Sequence, residues 1–245
     1  MHTLLANSLN ELDKLKVKKV TKLFFITAAL FPFLVKLLAA KLFLTEWMAL
    51  PAENINYSVV DLFTVIILPF YCFIAAASLF AAEAEKGTLF PVRPISRFEL
   101  FASKTAAVGL MMGLQLLIVC LSLVISDVLI DRPFQLTDAF TTLGACLASW
   151  LVLLVLSGAA ILLALVMNSS ITAISSMVLL YLLMLFLPYL VPESLYLFPT
   201  AYLDWYMQWL GNVSIQRILQ TVTYLCSSFV LFFTTGCYIF NRKEA

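Results

Sequence analysis

Glu83, Glu85, Lys86, Arg93 and Arg97 fall in one short stretch, Glu83-Ala84-Glu85-Lys86-Gly87-Thr88-Leu89-Phe90-Pro91-Val92-Arg93-Pro94-Ile95-Ser96-Arg97. Only 12% of the 245 residues are charged, so this stretch is an island of charge between two long apolar runs. Two carboxylates and three cations without a histidine offer ionic recognition of a partner surface rather than bond making. Gly87 permits a tight turn or a helix end. Thr88 suits a helix cap, and Pro94 ends a helix. On composition alone, a solvated loop whose charges only fix topology is the simpler account.

The rest of the chain offers little covalent chemistry. A single histidine, His2, excludes a two-His zinc site and Ser-His-Asp hydrolysis. No GxxxxGK[ST] is present, so no P-loop ATPase resides in this chain. Lys36, the lysine within an apolar run, has no serine at helical spacing for a Ser-Lys dyad. Cys72, Cys120, Cys146, Cys226 and Cys237 have no CxxC spacing and read as small hydrophobes. No catalytic residue and no metal site are expected.

The elements that must position the island are membrane spans. With 63% hydrophobic residues and a mean hydropathy of +1.02, the chain cannot cover a water-soluble fold with charge. A span needs about 20 apolar residues. Six stretches qualify, at about 23–40, 59–82, 105–126, 139–167, 171–191 and 218–240, with Pro32 and Pro69 inside the first two. The expected fold is all-α, a polytopic six-span protein forming one transmembrane domain over 23–245. With the N-terminus inside, 11 of the 15 basic residues lie on the cytoplasmic side, which argues for both termini cytoplasmic. Residues 1–22 read as an amphipathic interfacial helix: Leu5, Leu9 and Leu12 share a face, with Leu15 nearby, and the lysines suit anionic headgroups. Between spans five and six, Tyr196, Phe198, Tyr202, Trp205, Tyr206 and Trp209 suggest an outer re-entrant or interfacial element. Lys36 is expected to snorkel outwards and Asp61 to reach water at the outer end of span two. No acidic residue is evident near the membrane centre, which argues against an ion-coupled carrier.

The island pattern Glu83-x-Glu85-x-Gly87-Thr88, then Pro94-Ile95-Ser96-Arg97, then Lys104, resembles the loop between helices two and three of ABC-2 type permeases, the membrane subunits of type V ABC transporters. The N-terminal helix, six spans, aromatic outer element and short basic tail Asn241-Arg242-Lys243 extend the resemblance over the whole chain; Phe90-Pro91-Val92-Arg93 departs from the leucine-rich stretch usual in the family. The resemblance implies a bacterial plasma-membrane exporter subunit, of bacteriocin- or antibiotic-immunity type. It implies a cytosolic ABC ATPase dimer carrying ATP and Mg, a second permease protomer, no nucleic acid and no cofactor on this chain. It implies that the loop 83–104 is a coupling helix, with Glu83, Glu85, Gly87, Thr88, Pro94, Ser96, Arg97 and Lys104 as coupling residues. Glu83 and Glu85 would pair with basic residues of a partner, and Arg97 and Lys104 would anchor near headgroups. The family's path between protomers along spans one, two and five implies Phe24, Phe31, Phe70, Phe73, Tyr181 and Met184 as path residues, suited to an apolar or amphipathic cargo such as a peptide, antibiotic or lipid. The alternative is an ATP-independent membrane protein, either a secondary carrier or a regulatory or immunity scaffold.

Overall fold

The computed structural model describes residues 2–43, 55–86, 96–130, 136–167, 169–191, 198–207 and 214–243. The described residues are helical throughout, with turns and no strand. A short helix α1 (His2–Val17) precedes α2 (Lys19–Phe43). Four more long helices follow: α3 (Ile55–Glu85), α4 (Arg97–Ile130), α5 (Leu136–Val166) and α6 (Ser170–Leu190). A 3-10 turn at Pro199–Tyr202 leads towards α7 (Ile215–Arg242). Six of these helices, α2 to α7, are long and apolar enough to cross a membrane. A helix bonds its backbone N–H and C=O groups within itself, as hydrocarbon demands.

The three central helices carry the packing. Half or more of the apolar windows of α3, α4 and α5 is buried, against 17% for α2 and α6 and 11% for α7. Small residues let the centre close. A Cβ on Gly109 of α4 would stand 2.6 Å from Leu154 Cδ2 of α5, so a larger residue there would require that leucine to move. Trp150 of α5 lies against Gly113 and donates its indole N–H to the Gly109 carbonyl at 2.9 Å. Ala75, Ala76 and Ala77 of α3 are buried in the same way.

Prolines and their neighbours shape the helices. Pro69 has no N–H to give to the carbonyl four residues earlier, that of Val65. The helix widens there into a π turn, Phe63–Ile67, and Tyr181 of α6 donates its hydroxyl to the Val65 carbonyl at 2.6 Å. Pro188 of α6 repeats the arrangement. The Met184 carbonyl, four residues before it, accepts from the Thr200 hydroxyl at 3.3 Å. In α2, Ser122 of α4 donates to the Ala29 carbonyl at 2.7 Å, in the turn before Pro32. A second π turn, Ala77–Ala81, lies in α3 close to the charged island.

Several helices outrun their hydropathic cores. α4 begins eight residues before the expected start of span three and ends four after its expected end, taking in both Lys104 and Asp127. Asp127 is therefore part of a span rather than of an outer loop. Lys36 does not snorkel: it is 5% exposed and ion-paired with Asp127, which also accepts from Asn56 Nδ2 at 3.0 Å. Each charge removes the reason for the other to reach water.

Candidate functional site

All the ends that flank the island lie together at one end of the bundle, here the basic end. α1 reaches it by packing along α4. Its buried face is Ser8, Glu11, Leu12 and Leu15, spaced as one helical stripe, whereas Leu5 and Leu9 are exposed. The leucine face read from the sequence is thus divided. Two leucines pack on protein and two face outwards, because the packed stripe carries a glutamate that has partners.

Those partners form a closed square of charge. Lys104 Nζ of α4 donates to Glu83 Oε2 of α3 at 2.5 Å and to Glu11 Oε2 of α1 at 3.3 Å. Lys14 Nζ of α1 bonds the other oxygen of each carboxylate, Glu11 Oε1 at 2.8 Å and Glu83 Oε1 at 3.2 Å. Lys104 also donates to the Leu79 carbonyl at 3.2 Å and stands 6.0 Å from the centre of the Phe80 ring. It is 1% exposed, so it does not anchor at headgroups as expected. Such burial is tolerable only because two carboxylates and a carbonyl surround the ammonium. For Lys14, burial alone would lower the pKa; the hydrogen bond to Glu11 and the charges of Glu11 and Glu83 outweigh it and hold the ammonium above its ordinary range.

Two further contacts tie the island's flanks to other helices. Glu85 Oε2 accepts from the backbone N–H of Ser170 at 3.3 Å and from its hydroxyl at 3.5 Å, at the N-terminus of α6. A carboxylate there meets the positive end of the helix dipole, and Ser169 caps the same end by accepting from the Thr172 N–H. Across the bundle, Arg97 donates to the carbonyls of Asn241 at 2.7 Å and Lys243 at 3.3 Å, at the C-terminus of α7. Ser96 caps α4 by accepting from the Glu99 N–H at 3.2 Å. Lys243 closes the set by donating to the Leu165 carbonyl at the end of α5, at 2.9 Å.

Below the square lies a cluster of phenyl rings from α3, α4 and α7. Phe101 packs on Phe80 at 5.9 Å, Phe240 at 5.5 Å and Phe233 at 5.1 Å, centre to centre. Rings at these separations bind one another as well as excluding water. Of the expected coupling residues, Glu83 and Lys104 meet in the square, and Glu85, Ser96 and Arg97 each hold a helix end. Gly87, Thr88 and Pro94 lie outside the described residues.

The six expected path residues fall into three groups. Phe73 of α3 and Tyr181 of α6 are buried and form an edge-on pair 5.5 Å apart. Met184 is half-buried one turn further along α6, and its carbonyl serves Thr200. Phe24 and Phe31 of α2 are half-buried against α3, on Tyr71 at 5.2 Å and Phe63 at 6.1 Å. Phe70 is exposed. At the far end, Trp205 and Tyr206 are buried within the bundle rather than laid at its edge. Trp205 donates to the Ala148 carbonyl at 2.9 Å, and Tyr206 donates to Asp61 Oδ1 at 2.6 Å.

A family model described as ABC-2 family transporter protein matches residues 9–184, which run from α1 into α6 and include every member of the charge square. The chain belongs to the ABC-2 transporter family. No curated protein matches it. This ABC-2 family chain is a multi-pass membrane protein of the permease type. Sequence reading missed Glu11, Lys14 and Asp127 as partners. The one signal for Glu11 was an acid on the apolar face of an amphipathic helix.

Proposed function

We propose that this ABC-2 family chain is the permease subunit of an ATP-driven exporter. It moves an apolar or amphipathic cargo, energised by a separate cytosolic ABC ATPase. The basic end faces the cytoplasm, and the segment 87–95 with its flanks receives the ATPase. One observation carries this reading: the flanks of that segment are bonded to α1, α6 and α7 through Glu83, Lys104, Glu85 and Arg97. A push on the segment therefore reaches α1, α6 and α7 as well as α3 and α4. The π turn Ala77–Ala81, one of two in α3, lies next to this junction.

The cargo route runs along α2, α3 and α6 and is completed by a second permease protomer. Supporting this, α2 and α6 are little buried within a single chain, while Phe73 and Tyr181 set an aromatic wall between α3 and α6. Asp127 gives α4 an acid, but Lys36 and Asn56 hold it, which leaves it without the free carboxylate an ion-coupled carrier uses.

The test is co-expression with the ABC ATPase encoded beside it. The two are expected to co-purify from detergent. Glu85→Arg and Gly87→Pro are expected to leave ATP hydrolysis by the complex but to abolish its link to transport. Transport at full rate in vesicles without any ATPase overturns the proposal.

A further inference from the structure

Between α1 and the basic end of α3 lies a crevice of about 620 Å³. It is lined by Asn10, Asp13, Lys14, Val17, Lys18 and, across from them, Ser78, Leu79, Ala82, Glu83 and Lys86. Most of its charges are already matched. Lys14 is held by Glu11 and Glu83, Glu83 by Lys104 as well, and Asp13 by Lys16 at 3.4 Å. Two cations remain. Lys18 and Lys86 make no ion pair among the described residues.

Their placement is unfavourable as it stands. Lys18 sits half-buried at the joint between α1 and α2, held by its backbone N–H to the Leu15 carbonyl. Burial pushes its ammonium below the ordinary range; Glu83 offsets this in part, and the charges of Lys86, Lys104 and Lys14 add to it. Two like charges that face one space, one of them poorly hydrated, are satisfied by an anion between them.

We propose that this crevice binds the phosphate headgroup of an anionic phospholipid, with Lys18 and Lys86 as its two cationic contacts. The lining itself favours a lipid over a free anion. Val17 lies on the rim and is 74% exposed, and Val20 and Leu23 continue the exposed apolar surface along α2. A ligand with a phosphate in the crevice and acyl chains along this surface satisfies both. The crevice is also large enough for a glycerophosphate group. The inference does not depend on the transport reading. It concerns which lipid stays bound, whatever the chain moves.

The experiment is native mass spectrometry of the full-length protein released from nanodiscs of mixed phosphatidylglycerol and phosphatidylcholine, with the phosphatidylglycerol dissociation constant obtained by titration. Each lysine near a charged headgroup contributes enough that losing both weakens binding by about thirty-fold. Lys18→Gln/Lys86→Gln is expected to show that loss. Lys19→Gln/Lys22→Gln removes the same charge from exposed positions outside the crevice and is expected to change binding by less than about three-fold. Lys18→Arg/Lys86→Arg retains the charge and is expected to retain the lipid; it also shows that the crevice tolerates substitution if the glutamine variant fails to fold. Equal losses in the two glutamine variants, meaning diffuse attraction, overturn the proposal. So does no loss in either. A separate arm titrates inorganic phosphate and glycerol phosphate. Binding of these that depends on Lys18 and Lys86, without retained phosphatidylglycerol, assigns the site to a free phosphate and overturns the lipid assignment.

Discussion

Lys36 and Asp127 neutralise each other inside the helical bundle, 91 positions apart in the chain and both nearly sealed from solvent. Breaking such a pair strands a charge, and the cost is about 3–5 kcal/mol. Lys36→Met is therefore expected to lower the thermal unfolding midpoint in detergent sharply. Lys36→Met/Asp127→Leu removes both charges and is expected to recover most of the loss. A single variant as stable as the double would show that Asp127 has another way to be satisfied.

Pro69 and Tyr181 form a linked pair of another kind, one removing a donor and the other supplying it. Tyr181→Phe should cost about 1–2 kcal/mol, the penalty of a buried carbonyl left bare. Pro69→Ala restores a backbone N–H to α3. In that background Tyr181→Phe should cost less, with a coupling of about 1 kcal/mol in a double-mutant cycle. Additive effects would mean that the hydroxyl is not serving the proline gap.

The charge square predicts an order of severity. Lys104→Met leaves two largely buried carboxylates, Glu11 and Glu83, with only the half-exposed Lys14 between them. It should cost about 3–5 kcal/mol. Glu83→Gln keeps the Glu11–Lys104 contact and should cost less. Lys14 is half-exposed, so Lys14→Met should cost below about 1 kcal/mol. Unfolding midpoints of the three variants test this order, and a Lys14 variant worse than the Lys104 variant contradicts it.

Lys14 also carries a pH signature. Its folded pKa lies above the ordinary 10.5, so the folded state binds its proton more tightly than the unfolded state does. The stability it adds is complete below about pH 10.5 and is lost as pH rises through the higher folded value. The difference in midpoint between the parent and Lys14→Met should be flat from about pH 7 to 10 and shrink beyond. A difference that changes across neutral pH would point to another group.

Hydropathy located all six spans, because a run of about 20 apolar residues has few other uses. It misplaced the ends of α4 for a definite reason. An isolated charge is costly in lipid, so a sequence reader ends a span at Lys104 and before Asp127. Neither is isolated. Their partners Glu11 and Lys36 lie 93 and 91 residues away, and no local pattern records a pairing over that distance. The island was equally legible as a place and illegible as a set of contacts. Glu85 and Arg97 stood out as charges, but that they hold the ends of α6 and α7 depends on how the helices are arranged. The aromatics of Trp205 and Tyr206 signalled a special segment. Their burial could not be read, since the Ala148 carbonyl and the Asp61 carboxylate that receive them belong to other helices.

The square of Glu11, Lys14, Lys104 and Glu83 also sets a timetable for biosynthesis. α1 is made before α4: its glutamate meets Lys14 within the same helix, but the buried Lys104 that completes its partners emerges only 93 residues later. For all that interval α1 must wait at the membrane surface with its packing face uncovered, while two spans are inserted ahead of its dock. Seating of α1 is thus the event that reports the third span correctly placed. A chain that stalls before Lys104 keeps that face open to whatever surveys unfinished membrane proteins.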